Sequence, residues 1–132
     1  MPRQYQAPNA LRMDANDVIA GEMTEEQLLR NIVDAARKLG WAEYHTHDSR
    51  SSQSGFPDLV LVRKAAHNGE GRGRVIFAEL KRQNGKLTDA QRWWLEALAS
   101  VMAVRAGARK SVEAHVWRPR DWLEGEVEAA LR

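Results

Sequence analysis

The sequence predicts an α/β domain in which a short mixed β-sheet is flanked by helices. Two apolar runs, residues 59–62 and 75–78, are too hydrophobic for loops and short enough for strands. Two capping boxes, which begin at Thr24 and Thr88, open stretches with the apolar period of an amphipathic helix. The 132 residues suffice for one hydrophobic core and are too few for two. A single layered domain is therefore expected.

The N-terminal residues are predicted to lie outside the folded domain. They hold prolines and asparagines without sustained periodicity, which indicates a loosely ordered arm. Within this arm a short helix is expected near residues 14–19. The chain should therefore divide into an arm at residues 1–22 and one folded domain at residues 23–132.

The first half of the folded domain is predicted to contain a helix followed by a strand. The helix begins after its cap Thr24, runs to about Leu39 and ends at Gly40. Alternating residues then predict a strand over residues 41–46. A polar loop over residues 47–55 leads from this strand into the first apolar run.

The second half is predicted to add a strand, two helices and two connections. Glycine-containing residues 63–74 link the apolar runs as a long hairpin loop, and a turn at residues 83–86 follows the second run. The helix that Thr88 caps comes next. A last strand is expected over residues 111–117 and a closing helix over residues 121–131. The order is helix, three strands, helix, strand, helix.

Charged residues stand at the ends of both apolar runs. Asp58 immediately precedes the first run, and Glu79 and Lys81 follow the second. Because side chains two apart in a strand share a face, Glu79 and Lys81 should project together while Leu80 points into the core. Two carboxylates and one ammonium group are therefore expected in one cleft.

This cleft suits a hard divalent cation such as Mg²⁺, which takes oxygen ligands from one or two carboxylates and keeps several waters. Lys81 is then left for the chemistry. The alternative is an ordinary turn at Asp58 and a solvated pair of Glu79 and Lys81 on an edge strand. Apolar residues on both faces of the second run favour a central strand, and with it the metal site.

Two residues of the helices are candidates to join this cleft. Glu25 lies one turn before the apolar stripe of its helix, so Glu25, and not Glu26, is expected to face inward. It either serves as a third acid or only stabilises the positive end of its helix. Gln91 either caps its helix or contacts a phosphate or Lys81.

Basic residues are concentrated around the predicted site, although the net charge is only +2 and the pI is about 9.2. A basic rim around an acidic centre fits a polyanion that is gripped at its phosphates. The alternative for each residue is simple solvation. The expected contacts with such phosphates, in the basic rim and in the polar loop before it, are His47, Ser49, Arg50, Arg63, Lys64, Arg72, Arg74, Arg82 and Lys86.

Several classes of protein are excluded by composition. The chain has no cysteine, so disulfides and thiolate metal sites are ruled out, and the histidines near Asp48 do not complete a zinc site. No signal-type or membrane-spanning apolar run occurs, so a cytosolic protein is expected. The glycines of residues 63–74 lack the ending of a phosphate-binding loop, so no nucleotide cofactor is expected.

The predicted site falls into three ordered segments: GFPDLVLV at residues 55–62, FAELK at residues 77–81 and GKLTDAQRWWL at residues 85–95. Together they resemble the PD-(D/E)xK nuclease superfamily and, more narrowly, its VRR-NUC family of small stand-alone nucleases of phages and bacteria. Outer segments such as residues 24–25 and 116–119 look similar as well. The resemblance runs from about Thr24 to the C-terminus.

The resemblance implies a restriction-endonuclease-like core and hydrolysis of phosphodiester bonds that depends on Mg²⁺ or Mn²⁺. It implies Asp58, Glu79 and the backbone carbonyl of Leu80 as metal ligands. Lys81 would orient or activate water, and Glu25 would be an accessory acid. Gln91 matches a glutamine that is common in these proteins.

Similar stand-alone members are homodimers that act on branched DNA such as four-way (Holliday) junctions. The resemblance therefore implies a structure-selective DNA endonuclease in the cytoplasm of a bacterial or phage-infected cell. Exposed positions among Trp93, Trp94 and Trp122 are candidates for the dimer surface, with core packing as the default for each. Three alternatives stay open: a flap or end-processing nuclease, a catalytically silent DNA-binding module, and a scaffold in which the acids and Lys81 form ion pairs.

Overall fold

The computed structural model of the chain describes residues 14–46, 53–66, 72–101 and 111–132. This part of the chain confirms the predicted α/β class, and it has no helix with the length and apolar character needed to cross a membrane. Its helices and strands are, in chain order, α1 (Ala15–Glu22), α2 (Glu25–Lys38), β1 (Ala42–His45), β2 (Leu59–Arg63), β3 (Arg74–Leu80), α3 (Asp89–Ser100), β4 (Val112–Trp117), α4 (Pro119–Leu123) and α5 (Glu126–Leu131).

The strands form one mixed sheet in the order β1-β2-β3-β4. The pairs β1–β2 and β2–β3 are antiparallel, whereas β4 lies parallel to β3. Parallel neighbours need a crossover connection, and helix α3 lies in the connection between β3 and β4. The strand that carries Glu79 therefore has a neighbour on each side, as predicted, and the architecture is consistent with a restriction-endonuclease-like core.

The hydrophobic core lies on one face of this sheet. Alternate residues of the strands point into it, and helix α2 covers them with its apolar stripe because that stripe recurs with the helical period. The result is a sheet whose opposite face is available to α3 and to the charged residues at the strand ends. The fully buried core side chains include Leu28, Ile32, Leu59, Leu61 and Ile76.

Both predicted capping boxes are present. Thr24 Oγ1 accepts a hydrogen bond from the Gln27 N–H at 3.1 Å, and the Gln27 side chain accepts one from the Thr24 N–H at 3.0 Å. Thr88 and Gln91 make the same reciprocal pair at 3.1 and 2.9 Å. These contacts fix the starts of α2 and α3, because they satisfy backbone donors that have no partner inside the helix.

The closing helix departs from the prediction. Instead of one helix over residues 121–131, the chain forms the short helices α4 and α5. Gly125 separates them with a left-handed φ of +81°, a conformation that glycine adopts at little cost. The break lets α5 turn back to the core, where Val127 and Leu131 are fully buried.

Candidate active site

Asp58 is held at the point where the loop before β2 becomes a strand. Its neighbour Pro57 is fully buried. The backbone carbonyl of Asp58 accepts a hydrogen bond from the Thr46 N–H at 3.3 Å. The side chain reaches across to β3, where Asp58 Oδ2 accepts the Leu80 N–H at 3.0 Å. This contact directs the carboxylate to the end of β3, which is where the sequence predicts Glu79 and Lys81 to lie.

Glu79 lies near the end of β3 and is only 2% exposed. Leu80, on the opposite strand face, is buried in the core as predicted. Glu79 Oε1 accepts a hydrogen bond from Gln91 Nε2 at 2.8 Å. Glu79 Oε2 is buried and has no hydrogen-bond partner among the described residues. Gln91 therefore fixes one oxygen of this carboxylate, and the other oxygen lacks a hydrogen-bond donor or a cation.

Burial raises the pKa of Glu79 from 4.5 to about 8. Desolvation is the largest cause, and the negative charge of Asp58 adds to it; the charge of Lys81 acts in the opposite direction. Two carboxylates this close repel each other when both are ionised. The pair therefore needs either a shared proton or a cation.

A divalent metal ion fits the residues present. The unpartnered Glu79 Oε2 and the carboxylate of Asp58 are hard oxygen donors of the type that Mg²⁺ prefers. No group of three or more acidic, histidine or cysteine side chains arranged for a metal occurs in the described ranges. The residues therefore suit a metal ion that is bound by two carboxylates and keeps several of its waters. The Leu80 carbonyl is the predicted additional ligand.

Lys81 follows β3 directly and extends along the same side as Glu79. Its Nζ lies 4.0 Å from Glu79 Oε1, and its side chain is 13% exposed. The predicted pairing of these two residues is thus reproduced in space. An ammonium group in this position is close enough to stabilise negative charge that develops beside the carboxylates.

Gln91 caps its helix, as one of the two predicted alternatives has it, and it also contacts Glu79, a partner that neither alternative named. Its side-chain oxygen completes the cap of α3 at Thr88, while its amide nitrogen donates to Glu79. Because an amide has separate donor and acceptor groups, one side chain can serve both contacts. The start of α3 is therefore tied directly to the carboxylate pair.

Glu25 departs from the expectation that it faces inward, since both Glu25 and Glu26 are exposed. The first turn of a helix often projects beyond the layer that its later turns cover, which explains the exposure. The charge of Glu25 nevertheless contributes to the raised pKa of Glu79, so Glu25 lies on the side of the site. Its role as an accessory acid stays a prediction.

The predicted DNA contacts fall into three groups. His47, Ser49 and Arg50 lie outside the described residues. Lys64, Arg72, Arg82 and Lys86 are exposed, as a contact with phosphates requires. Arg63 and Arg74 have structural partners instead.

The guanidinium groups of Arg63 and Arg74 hold the C-terminal helix. Arg63 Nη1 donates to the Leu131 carbonyl at 2.9 Å, and both groups lie over the ring of Trp41. Arg74 is 7% exposed and donates from Nε to Glu113 at 3.0 Å. Both guanidinium groups are therefore engaged within the fold, where cations near a helix C-terminus stabilise its free carbonyls, and their contact with DNA stays a prediction.

Gly55 is a site residue whose specific role the sequence analysis missed. It has a left-handed φ of +83°, and a Cβ at this position would lie 2.5 Å from the carbonyl carbon of Ala90 and 2.7 Å from the backbone nitrogen of Gln91. Phe56 then packs edge-on against Trp94, with ring centroids 5.1 Å apart. The loop before Asp58 is thus pressed against the start of α3, which glycine alone permits.

We expect Gly55→Ala to lower the free energy of unfolding by about 2 to 3 kcal/mol, because it combines an unfavourable φ with a backbone clash. The same clash should displace Gln91 and slow any reaction at the carboxylate pair by about tenfold. Chemical unfolding and a cleavage assay measure the two effects. Gly40→Ala is the matched control, since Gly40 has a φ of +85° but open space around it. Equal losses of activity in the two variants would contradict the role given to the close contact.

Comparisons with known proteins find a matching domain family and a related protein. Residues 4–112 match the model of the VRR-NUC domain family. The chain is 32% identical over 77 residues to the Fanconi-associated nuclease 1 homolog of Schizosaccharomyces pombe, a match that covers 56% of this chain and 10% of that protein. The chain therefore spans about a tenth of the length of this curated relative. No solved structure matches it significantly.

Proposed function

The chain belongs to the VRR-NUC domain family of nucleases, and we propose from this membership and from the carboxylate pair that it is a metal-dependent DNA endonuclease. The observation that carries the proposal is the pair formed by Asp58 and Glu79, with a buried Glu79 oxygen that lacks a partner among the described residues. A divalent cation, Mg²⁺ or Mn²⁺, would satisfy this oxygen and offset the repulsion between the two acids.

In the proposed reaction, the residues of this chain position the reacting groups and stabilise charge. When bound, the metal ion would polarise a phosphate oxygen and lower the pKa of a bound water. Asp58 and Glu79 would hold that ion, with Gln91 fixing the orientation of Glu79 through its hydrogen bond. Lys81 would orient the attacking water or stabilise the negative charge that develops on the phosphate.

The proposed substrate is branched DNA, such as a four-way junction, and the proposed active form is a homodimer in the cytoplasm of a bacterial or phage-infected cell. The name of the Schizosaccharomyces pombe relative supports a nuclease, and a two-fold dimer would present two equivalent sites to a symmetric junction. Trp93 is 63% exposed on α3, which supports its candidacy for the dimer surface. Residues 23–132 are the proposed nuclease domain, with residues 1–22 as an arm.

A flap or end-processing nuclease is the second candidate within the same chemistry, because the same carboxylate pair would serve it. A DNA-binding module without activity is less well supported. Carboxylates beside phosphates repel the ligand unless a cation is present, so a pure binder gains nothing from Asp58 and Glu79.

The test is cleavage of labelled four-way junction, flap and linear duplex DNA in the presence of Mg²⁺, Mn²⁺ or EDTA. We expect cleavage only with metal and fastest on the junction. Lys81→Ala should lower the single-turnover rate by roughly a hundredfold or more, because it removes the cation beside the reacting phosphate. Lys38→Ala is the control, since Lys38 is exposed at the end of α2.

Different outcomes identify the alternatives. Faster cleavage of the flap than of the junction would replace the proposed substrate by a flap. Tight binding to the junction without cleavage in any metal would favour the silent binding module. Equal rates for wild type and Lys81→Ala would contradict the role given to Lys81.

A further inference from the structure

The turn between β3 and α3 joins the two sides of the proposed active site. Lys81 precedes this turn, and α3, which carries Gln91, follows it. The turn closes on itself through a hydrogen bond from the Gly85 N–H to the Arg82 carbonyl at 2.9 Å. Its position therefore affects both Lys81 and the start of α3.

The turn lies against the stem of Lys81. The ideal Cβ position of Gly85, a point about 1.5 Å from its Cα, is 3.4 Å from Lys81 Cδ, so the backbone of Gly85 lies within about 5 Å of this stem. The Lys81 side chain is only 13% exposed, and its amine lies 4.0 Å from Glu79 Oε1. A long, flexible lysine stem has many rotamers, so a wall along the stem restricts where the amine can be.

Two hydrogen bonds from the start of α4 hold this turn. Arg118 Nη2 donates to the Gly85 carbonyl at 2.9 Å, and the Arg120 N–H donates to Gln83 Oε1 at 3.0 Å. The backbone of Arg118 is itself fixed, because Asp121 Oδ2 accepts a hydrogen bond from the Arg118 backbone N–H at 2.7 Å. A donor that carries charge makes a stronger hydrogen bond than a neutral one, so the Arg118 contact is the stronger constraint on the turn.

The same segment also aligns the backbone of Lys81. The Lys81 N–H donates to the carbonyl of Trp117 at 3.1 Å, one residue before Arg118. Backbone and side-chain contacts from residues 117–120 therefore converge on residues 81–85. The sequence alone does not indicate this contact of Arg118, since its partner lies 33 positions away along the chain.

We propose that Arg118 is a positioning residue for Lys81. It holds the turn at residues 82–85 against the lysine stem and so keeps the amine beside Glu79. This inference rests on the proposed function, because it assigns Lys81 a part in turnover. It adds a residue outside the predicted site to the machinery that sets the cleavage rate.

The test is a double-mutant cycle of wild type, Arg118→Ala, Lys81→Ala and the double variant, with single-turnover cleavage at saturating Mg²⁺. We expect Arg118→Ala to slow cleavage by about tenfold in the wild-type background and to have no further effect when Lys81 is absent. The DNA concentration for half-saturation should not change. An equal, additive loss in both backgrounds, or weaker DNA binding as the main effect, would overturn the proposal.

The matched control is Arg120→Ala. The Arg120 side chain pairs with Asp17 and Glu124, whereas its backbone makes the contact with the turn. This variant removes a cation from the same segment and leaves the turn's hydrogen bonds in place, so the cleavage rate should stay at the wild-type level. Should Arg118→Ala fail to fold, Gln83→Ala removes the companion hydrogen bond and enters the same cycle.

A second measurement needs no activity. Acetylation of lysine amines in the metal-free protein, followed by mass spectrometry, should modify Lys81 faster in Arg118→Ala than in wild type, with Lys38 unchanged. An unchanged rate at Lys81 would overturn the link between Arg118 and the lysine. A wild-type protein that cuts no DNA would instead contradict the proposed function, and the labelling rates would still decide whether Arg118 constrains Lys81.

Discussion

Asp58→Asn should lower metal-dependent cleavage by roughly a thousandfold or more while the protein stays folded. The amide keeps an oxygen that can accept the Leu80 N–H, so the local backbone contact survives. What is lost is one of two negative charges that would hold the metal. Removing that charge also relieves the repulsion on Glu79, so the metal-free variant should be at least as stable as wild type at neutral pH.

This combination separates three explanations of the carboxylate pair. In a nuclease, activity and Mg²⁺ binding, measured by calorimetry, are lost together while stability is kept. In a scaffold of ion pairs, Asp58→Asn would lower stability, because the group of acids around Lys81 would lose one of its negative charges. In a binding module, junction affinity would be kept or increased. Asp34→Asn, which changes an exposed acid of α2, is the control for the general effect of one lost charge.

Much of the site was predictable because its signals are local. Asp58, Glu79 and Lys81 stand at the ends of apolar runs, and strand alternation alone places Glu79 and Lys81 on one face. The capping boxes at Thr24 and Thr88 span four residues each, so the starts of α2 and α3 could also be read directly. Short-range patterns of this kind need no knowledge of the tertiary fold.

The missed features all depend on contacts between distant parts of the chain. Arg63 and Arg74 were indistinguishable in sequence from exposed cations, yet their partners lie 68 and 56 positions away at the C-terminal helix. Gly125 was visible within the closing helix, but the docking of α5 on the core decides that it breaks the helix. Gly55 is adjacent to the motif, and only the approach of α3 explains why a side chain is excluded there.

Gln91 shows how a correct interpretation can miss a second contact of the same side chain. The cap is encoded within four residues, whereas the contact with Glu79 requires β3 to end beside the start of α3. The contact with Glu79 depends on the order of the strands in the sheet. The sequence constrains that order only through the length of the connection between β3 and β4. The side chain satisfies both because its donor and its acceptor point to different partners.

Without metal, the stability of the protein should depend on pH through Glu79. Folded Glu79 keeps a proton up to about pH 8, whereas glutamate in the unfolded chain loses it near pH 4.5. Between these values the folded state binds more protons, so raising the pH favours unfolding. We expect the free energy of unfolding of the metal-free protein to fall by about 3 to 5 kcal/mol from pH 5 to pH 8 through this group. Urea unfolding at a series of pH values measures it.

Glu79→Gln should abolish this decline, because the neutral amide does not titrate, whereas Glu96→Gln on the exposed face of α3 should retain it. Saturating Mg²⁺ should restore the lost stability at pH 8, since a ligand that binds only the folded state stabilises it. At pH 6 the cation must displace a proton from the pair, so its apparent affinity should fall by about tenfold for each unit of pH below 8. Equal stabilisation by Mg²⁺ at pH 6 and pH 8 would show that the cation does not bind at Glu79, and the metal would then have to be sought elsewhere in the protein.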